Sequence, residues 1–370
     1  MDLYFFNPAC ELEVANGDKN YSLQKFPQML ENDLRTLPLA FAKNDGYVLT
    51  LKPVQGDRFV SLQQAENMEF DNFFPWGPSQ RAFNIVSNVR IKNRPKIENF
   101  KKFYSRQNTV DFLSMFPAGG KFPGKNELPF IAKTADEAFE FFREKFSLNY
   151  KGVVFKAPFA ASGRGVRIFK KNELTDNIAQ WTNFVIKTQG FVECEVYFEK
   201  LTDFSMHYTF LHGGIEFRGL SVFKTADNGF YQSSYVKNFS EIPGVDFLFV
   251  SELKEMQTEV LKKMVFMENY SGCLGIDCMV YNDNGEKKIN PCVEINCRNS
   301  MGRLALELSD KIKENSSAEF FVFQNNKPPL GINEKPVFEN GKLKSGFWRL
   351  SEEFTEKFSA GILATSQKFL

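Results

Sequence analysis

The 370-residue chain has only two histidines, His207 and His212, so a zinc site built from three histidines is impossible. Its 46 basic and 45 acidic residues leave a net charge of +1, which gives no electrostatic reason to expect DNA, RNA or an anionic membrane as a partner. No apolar run approaches the roughly 18 residues of a transmembrane helix. The six cysteines lack the C-x2-C pairs of a zinc ribbon and lie mostly among apolar neighbours, as reduced and buried thiols do.

The start of the chain has no features of a secretory signal. Met1 is followed at once by Asp2 and a short strand-like run over 3–6, with neither a basic segment nor a long apolar stretch. We therefore expect a cytoplasmic protein. The 42 phenylalanines indicate a packed interior rather than disorder. With so little histidine, any catalysis has to depend on Lys, Arg, Asp, Glu and metal ions, and we expect structural roles for both histidines.

The order of the predicted elements indicates an α/β protein with several parts. The first hundred residues alternate strand and helix patterns, including a helix over about 27–41 and a strand over 47–51. The sequence Thr134-Ala135-Asp136-Glu137 is a capping box, which predicts a helix from there to about Phe146. We place the domain boundaries so that the chain divides into residues 1–100, 101–195, 196–330 and a C-terminal tail, 331–370, that packs on the fold.

A loop of small residues between two predicted strands indicates a phosphate site. The strand over 153–156 ends in Lys156, and the loop 157–165 precedes a second strand over 166–169. Small residues let backbone N–H groups approach an anion, so Ser162, Gly163 and Gly165 are predicted to cradle phosphate oxygens beside the Lys156 ammonium. From this stretch alone, an ordinary hairpin with a surface lysine remains an alternative.

A second group of polar residues lies on a predicted hairpin near residue 285. If Tyr281 faces Asn290, then Asp277 faces Glu294, and their Cβ atoms are about 4.5–5.5 Å apart. Two carboxylates this close repel each other unless a cation lies between them. Asn296 adds a neutral oxygen on the same face, so the three donors predict a Mg²⁺ site completed by nucleotide phosphate. The alternative is a set of solvent-facing polar residues on a half-exposed sheet.

These segments, in this order, resemble the ATP-grasp superfamily over roughly residues 100–310. The resemblance rests on Lys156 with its glycine-rich loop, a hinge at 191–193, the run Gly275-Ile276-Asp277, and the segment 293–298, which is similar to an E-x-N-x-R signature. It implies an ATP-grasp fold of the α/β class (α+β subdomains). In that fold, residues 1–100 would form a Rossmann-like domain, 101–195 the small subdomain with the glycine-rich loop, and 196–330 the large subdomain with the metal site.

The resemblance also implies ATP and Mg²⁺ as cofactors and assigns roles to single residues. Phosphates would be bound by Arg106, at a position where the family commonly has lysine, by Lys156 and Lys224, and by the loop residues Ser162, Gly163, Arg164 and Gly165. The adenine would be bound by Glu193, Cys194 and Val196, and the ribose by Asp203. The metal ligands would be Asp277, Glu294 and Asn296, with Lys156 and Arg298 as the catalytic cations.

The reaction implied is a ligation in which ATP activates a substrate carboxylate as an acyl phosphate for attack by an amine or thiol. The partners expected are small molecules, with amino acids or peptides among the candidates. Glu11, Asn16 and Trp76 lie where loops of the first domain would contact a substrate. A phosphotransferase and a nucleotide-binding protein without turnover remain alternatives. The complete set of three metal ligands argues against the nucleotide-binding protein without turnover.

Overall fold

The computed structural model describes residues 1–94, 100–160, 165–170, 176–211, 214–226, 231–237, 247–264, 270–325 and 334–366. The helices are α1 (Cys10–Asn16), α2 (Lys25–Asp33), α3 (Leu62–Glu66), α4 (Gln80–Ile85), α5 (Lys101–Tyr104), α6 (Gln107–Met115), α7 (Ala135–Ser147), α8 (Asp176–Gln189), α9 (Phe247–Lys263) and α10 (Met301–Leu308). Within these ranges, none of the helices combines the length and apolarity needed to cross a membrane.

The strands fall into three main sheets and one small pair. They are β1 (Asp2–Phe5), β2 (Tyr47–Leu49), β3 (Phe59–Val60), β4 (Glu69–Phe70), β5 (Asn72–Pro75), β6 (Arg90–Ile91), β7 (Phe130–Ala132), β8 (Gly152–Lys156), β9 (Val166–Lys170), β10 (Val192–Val196), β11 (Glu199–Leu211), β12 (Gly214–Thr225), β13 (Tyr231–Lys237), β14 (Gly272–Asp283), β15 (Glu286–Asn296), β16 (Ser317–Gln324), β17 (Val337–Glu339), β18 (Lys342–Arg349) and β19 (Phe358–Thr365).

The first sheet is parallel, with the strand order β3-β2-β1-β5. Its strands are short and apolar, and Leu3 and Phe5 are buried together with residues of α3 and α4. The strands β4 and β6 form a separate parallel pair. Because the strands of the first sheet are parallel, the loops after β1 and β5 leave the sheet at the same edge. These loops lead to α1 and to the segment 76–79.

The predicted helix over 27–41 is wrong in extent. The helix α2 ends at Asp33, and the chain then forms a short 3₁₀ turn, Leu37–Ala40. Pro38 explains the break, because proline has no N–H to donate to the carbonyl of residue 34 and its ring clashes with that carbonyl in a continuous α-helix.

The second sheet is antiparallel, with the order β7-β10-β8-β9, and α7 and α8 pack against one of its faces. The capping box at the start of α7 is confirmed. The Thr134 hydroxyl accepts a hydrogen bond from the Glu137 N–H at 3.2 Å, and the Glu137 carboxylate accepts one from the Thr134 N–H at 3.2 Å. The alternation of β10 directs Val192 and Cys194 into this helical layer and Glu193 and Glu195 to the opposite face.

The third sheet contains nine described strands in the order β15-β14-β11-β12-β13-β16-β19-β18-β17. One face of its first strands packs against α9, with Phe204, Met206 and Leu253 buried between them. The strands β18 and β19, which lie beyond residue 331, pair with each other, and β19 pairs with β16. The C-terminal residues are therefore part of this sheet.

A single carboxylate ties α2 to the start of β19. Asp33 accepts hydrogen bonds from the backbone N–H groups of Glu356 (2.9 Å), Lys357 (2.8 Å) and Phe358 (2.8 Å). Asp33 is buried, and so is Phe358. A carboxylate with three N–H donors forms charge-assisted hydrogen bonds, and the one from Phe358 is buried, so Asp33 holds the C-terminal strand against the N-terminal part of the chain.

Replacement of Asp33 by alanine is expected to lower the free energy of unfolding by about 3 kcal/mol, because it removes three charge-assisted hydrogen bonds and leaves the buried Phe358 N–H unpaired. Urea denaturation of Asp33→Ala measures this loss. The control is Asp45→Ala, since the side chain of Asp45 is 65% exposed. Equal losses in the two variants would contradict the role assigned to Asp33.

Candidate active site

Lys156 is the last residue of β8 and lies in a buried ion pair. Its Nζ is 2.6 Å from Glu195 Oε1 and donates a hydrogen bond to the Val293 carbonyl at 3.1 Å. The side chain is buried, and burial works against its charged form. The carboxylates of Glu195 and Glu193 outweigh this effect and raise the pKa of Lys156 above its ordinary value. The site therefore holds a fixed ammonium group that also contacts the third sheet.

Glu193 faces Lys156 across the β8–β10 pair. It is fully buried, and neither carboxylate oxygen has a hydrogen-bond partner within the described part of the chain. Burial raises its pKa to about 7 in spite of the nearby Lys156 and Arg106 cations. A buried acceptor without a donor is costly, so this carboxylate suits a ligand that supplies an N–H group.

Arg106 precedes α6 and connects the second and third sheets. Its Nη2 is 2.8 Å from Glu294 Oε1, whereas Nη1 is 3.8 Å from Glu193 Oε2. The guanidinium is buried, yet Glu294 and Glu193 raise its pKa above the ordinary value despite burial. Arg106 and Lys156 thus meet at one place, as predicted, and both are paired with carboxylates.

The glycine-rich loop is described only in part. Ser162, Gly163 and Arg164 lie outside the described residues. Gly165 is described, and the Ala157 N–H donates to its carbonyl at 2.8 Å. A Cβ atom at this position would lie 2.3 Å from the Ala160 Cβ, so the close approach of the two sides of the loop requires glycine.

The predicted pairing of Asp277 with Glu294 is confirmed, but the register from which it was derived is wrong. Tyr281 faces Lys288 rather than Asn290. Between the pairs Met279–Asn290 and Asp277–Glu294, the three residues 291–293 lie opposite the single residue 278. The two extra residues in β15 shift the register by two positions, so that Asp277 faces Glu294 as predicted. Pro291 explains the bulge, because it has no N–H to give to the strand ladder.

The three predicted metal ligands lie together. Asn296 Nδ2 donates to Asp277 Oδ2 at 2.9 Å, and the Ser205 hydroxyl donates to Asp277 Oδ1. Burial, and then the negative charge of Glu294, raise the pKa of Asp277 to about 6. Asn296 Oδ1 is buried and has no partner among the described residues.

Asp277, Glu294 and Asn296 supply part of the coordination shell of a hard cation. Two carboxylates and one amide oxygen are ligands that Mg²⁺ accepts, and Mg²⁺ usually completes its shell with water and substrate phosphate. No group of three His, Cys, Asp or Glu side chains suited to a metal occurs in the described ranges. The residues present therefore fit a magnesium ion that is shared with a phosphate ligand.

Arg298 is fixed by a residue from the other end of the chain. Its Nε donates to Glu11 Oε1 at 2.7 Å, and its Nη1 donates to the Asn299 carbonyl at 3.1 Å. Nearby, the Asn299 N–H donates to the Trp76 carbonyl at 2.8 Å. The loops after β1 and β5 thus reach the end of β15, where Glu11 orients the guanidinium.

The residues predicted to bind the nucleoside lie on two different sheets: Asp203 on β11 of the third sheet, and Glu193, Cys194 and Val196 on β10 of the second. Asp203 belongs to the same strand and face as Ser205, and its carboxylate accepts hydrogen bonds from Lys200 (2.5 Å) and Thr225 (2.9 Å). Cys194 and Val196 are buried in β10, and strand alternation points their side chains away from Glu193. Only the backbone of these two residues is therefore available on the side of Glu193.

Lys224 does not join the predicted phosphate site. It lies between Phe223 and Thr225 in β12, and alternation puts its side chain on the opposite face of the sheet from theirs. There its Nζ is 3.1 Å from Glu319 Oε1 and 4.8 Å from the centre of the Tyr235 ring. The sequence resemblance assigned a phosphate contact without knowledge of this strand register.

A cavity of about 310 Å³ adjoins the predicted metal ligands and Arg298. Glu11 and Trp76 line it, as the substrate-contact prediction requires, whereas Asn16 is exposed at the end of α1. The other lining residues are Pro8, Phe26, Leu30, Ser205, Phe223, Thr225, Tyr231, Asp277, Glu294, Asn296, Arg298, Ser300, Met301, Gly302, Val322, Gln324 and Phe358. A larger cavity of about 930 Å³, between the segments 36–59 and 348–354, has none of the predicted site residues in its wall.

Sequence reasoning missed three supporting contacts: Glu195 with Lys156, Ser205 with Asp277, and Glu11 with Arg298. The sequence did contain a signal for Glu195, because Glu193 and Glu195 are two positions apart in an otherwise apolar strand and therefore face the same side.

His207 is buried and its Nε2 lies 2.8 Å from the Ser221 hydroxyl. Burial lowers its pKa to about 3, so it is a neutral packing residue, and His212 lies outside the described residues.

No protein-family model and no curated protein sequence matches the chain. Solved structures do resemble it. N5-carboxyaminoimidazole synthetase from Staphylococcus aureus, complexed with ADP, has a TM-score of 0.54 and 12% identity, over 99% of this chain and 94% of the other. A biotin carboxylase–β,γ-ATP complex from Campylobacter jejuni has a TM-score of 0.56 and 13% identity, over 99% and 87% of the two chains.

Phosphoribosylamine–glycine ligase from Thermotoga maritima has a TM-score of 0.54 and 14% identity, over 100% of this chain and 93% of the other. All three structures have the ATP-grasp fold. At sequence identities this low, structural similarity shows the fold alone. The fold agrees with the order of the motifs in the sequence. The chain has the α/β fold of the ATP-grasp superfamily.

Proposed function

We propose that the protein is a Mg²⁺-dependent ligase that uses ATP to activate a substrate carboxylate for attack by an amine or thiol. The observation that carries the proposal is that two buried cations both contact β15 beside the carboxylate pair Asp277 and Glu294. Arg106 forms an ion pair with Glu294, and Lys156 donates to the Val293 carbonyl. Solved structures of the same fold are complexes with ADP or a β,γ-ATP ligand, which supports a nucleotide at this place.

The buried cations supply the charge that phosphates need. Lys156 and Arg106 are paired with Glu195 and Glu294. A bound triphosphate gives each cation an anionic partner in place of a carboxylate. Glu193, whose oxygens have no hydrogen-bond partner in the described ranges, would accept from the adenine amino group.

The proposed reaction needs no histidine. A carboxylate oxygen of the substrate bonds to the γ-phosphorus as the bond to ADP breaks, and the nucleophile then displaces phosphate from the acyl carbon. Such transfers depend on positioning and on electrostatic stabilisation. Arg298, held by Glu11, would stabilise the charge on the transferring group. When bound to Asp277, Glu294 and Asn296, Mg²⁺ would offset charge on the phosphates.

The sheets support the proposed division of the chain. The parallel sheet falls within 1–100, and the β7–β10 sheet falls within 101–195 except for Val196, the last residue of β10. The first six strands of the large sheet fall within 196–330. We propose these as the Rossmann-like domain, the small subdomain and the large subdomain. The tail 331–370 extends the sheet of the large subdomain.

The overall test is ADP release with candidate carboxylates, with and without added amines or thiols. Release that needs both a carboxylate and a nucleophile is expected for a ligase. Release with the carboxylate alone and accumulation of a phosphorylated product would instead indicate a phosphotransferase. ATP binding without any ADP release would contradict turnover.

Loss of the Lys156 charge is expected to weaken ATP binding at least about tenfold, or 1.4 kcal/mol, as measured by calorimetry. The variant is Lys156→Met combined with Glu195→Gln, which removes both members of the ion pair so that the Glu195 carboxylate is not left buried without its partner. Glu195→Gln alone and Lys151→Met, at a lysine that is 64% exposed, are the controls. Unchanged ATP affinity in the double variant would refute the phosphate role of Lys156.

Asp277→Asn is expected to lower Mg²⁺-dependent ADP formation at least about 100-fold, since the metal supplies several kcal/mol of charge stabilisation. The asparagine keeps an oxygen for the Ser205 hydroxyl, so ATP binding without Mg²⁺ stays close to that of the wild type. The matched control is Asp283→Asn, in the same hairpin, where the aspartate pairs with Lys288. A wild-type rate in Asp277→Asn would eliminate the metal assignment.

A further inference from the structure

The 310 Å³ cavity has a polar end and an apolar body. At the polar end are the metal-ligand residues and Arg298. The body is formed by aromatic and aliphatic side chains from separate parts of the chain: Phe26, Leu30, Trp76, Phe223, Tyr231, Met301, Val322 and Phe358. A ligand that fills this space meets charge at one side only.

The polar end favours a carboxylate. Two nitrogens of Arg298 are engaged, Nε with Glu11 and Nη1 with the Asn299 carbonyl. Its Nη2 donates no hydrogen bond within the described ranges. The N-terminus of α10 also borders the cavity, through Ser300, Met301 and Gly302. A guanidinium nitrogen and a helix N-terminus both attract an anion.

The apolar walls are held in place by their own packing. Trp76 packs edge-on against Phe6 with ring centres 4.9 Å apart, and Phe26 packs edge-on against Phe358 at 5.0 Å. Phe358 is also fixed through its backbone by Asp33. The apolar surface of these walls forms no hydrogen bonds with water, and covering it with an apolar group is favourable.

We propose that the activated carboxylate belongs to an acid with an apolar body, aromatic or branched aliphatic, of up to roughly ten non-hydrogen atoms. This upper limit is the cavity volume of about 310 Å³ divided by the roughly 30 Å³ that one water molecule occupies in the liquid, because the metal ion and the transferring phosphate would share the polar end. The inference rests on the proposed ligase function and adds the class of the substrate. Small polar acids leave the apolar walls uncovered and are poor substrates.

The test uses 3-phenylpropionate, L-phenylalanine and 4-methylpentanoate as probes, with acetate, glycine and bicarbonate as the small polar acids. ATP, Mg²⁺ and hydroxylamine are added. Hydroxylamine attacks the acyl phosphate carbon and releases phosphate, so each turnover yields ADP, phosphate and a hydroxamate without knowledge of the natural nucleophile. We expect kcat/KM at least tenfold higher for the best apolar acid than for any small polar acid.

Val322→Phe adds bulk to the cavity wall without touching the predicted ATP site, and it should lower hydroxamate formation from the best apolar acid at least tenfold. Val337→Phe makes the same change at a residue that is 49% exposed on the edge strand β17. ATP affinity is expected to stay unchanged in both variants. Equal rates in the two variants, or a preference for the small polar acids, would overturn the inference.

Calorimetry gives a readout that is independent of turnover. In the presence of ATP, 3-phenylpropionate is expected to bind at least tenfold more tightly than 3-phenylpropanol, which lacks the carboxylate. If a protein that binds ATP binds none of the three apolar acids, this inference fails alone. If ATP does not bind, the proposed function fails.

Discussion

The cluster of the buried residues Lys156, Arg106, Glu195 and Glu193 with the half-buried Glu294 is the constraint on which the rest of the site depends. Buried charges are costly to remove from water, and removal of one partner leaves the other unpaired. The cluster joins the second sheet to β15 of the third, because Lys156 also donates to the Val293 carbonyl. It brings the end of β8 and the predicted metal ligands on β14 and β15 to one place, where the proposed function requires a polyphosphate to replace the carboxylates as partner.

The local elements could be predicted from the sequence where the signal itself is local. The capping box of α7 is such a case, since Thr134 and Glu137 are three residues apart. The pairing of Asp277 with Glu294 was also predicted, although the assumed register was wrong and the bulge at Pro291 compensated for it. The ATP-grasp fold followed from the order of motifs, which does not depend on any single register.

Contacts between distant segments could not be predicted, because no pattern in one segment refers to the other. Glu11 and Arg298 are 287 positions apart, and only the placement of the first sheet beside β15 brings them together. For Lys224, by contrast, the sequence predicted a contact that the structure does not contain. Its position in the motif order suggested a phosphate contact, but a strand exposes alternate residues on opposite faces, and the register turns Lys224 toward Glu319. The C-terminal strands had no predicted role, yet Phe358 forms part of the cavity wall.

The proposed function requires that the buried cations bind a nucleoside triphosphate together with a metal ion. Calorimetric titration of the wild-type protein with ATP tests this claim most directly. The predicted result is one ATP per chain, with an affinity at least about tenfold weaker when Mg²⁺ is removed by a chelator. Absence of binding, or binding that Mg²⁺ does not affect, would contradict the account.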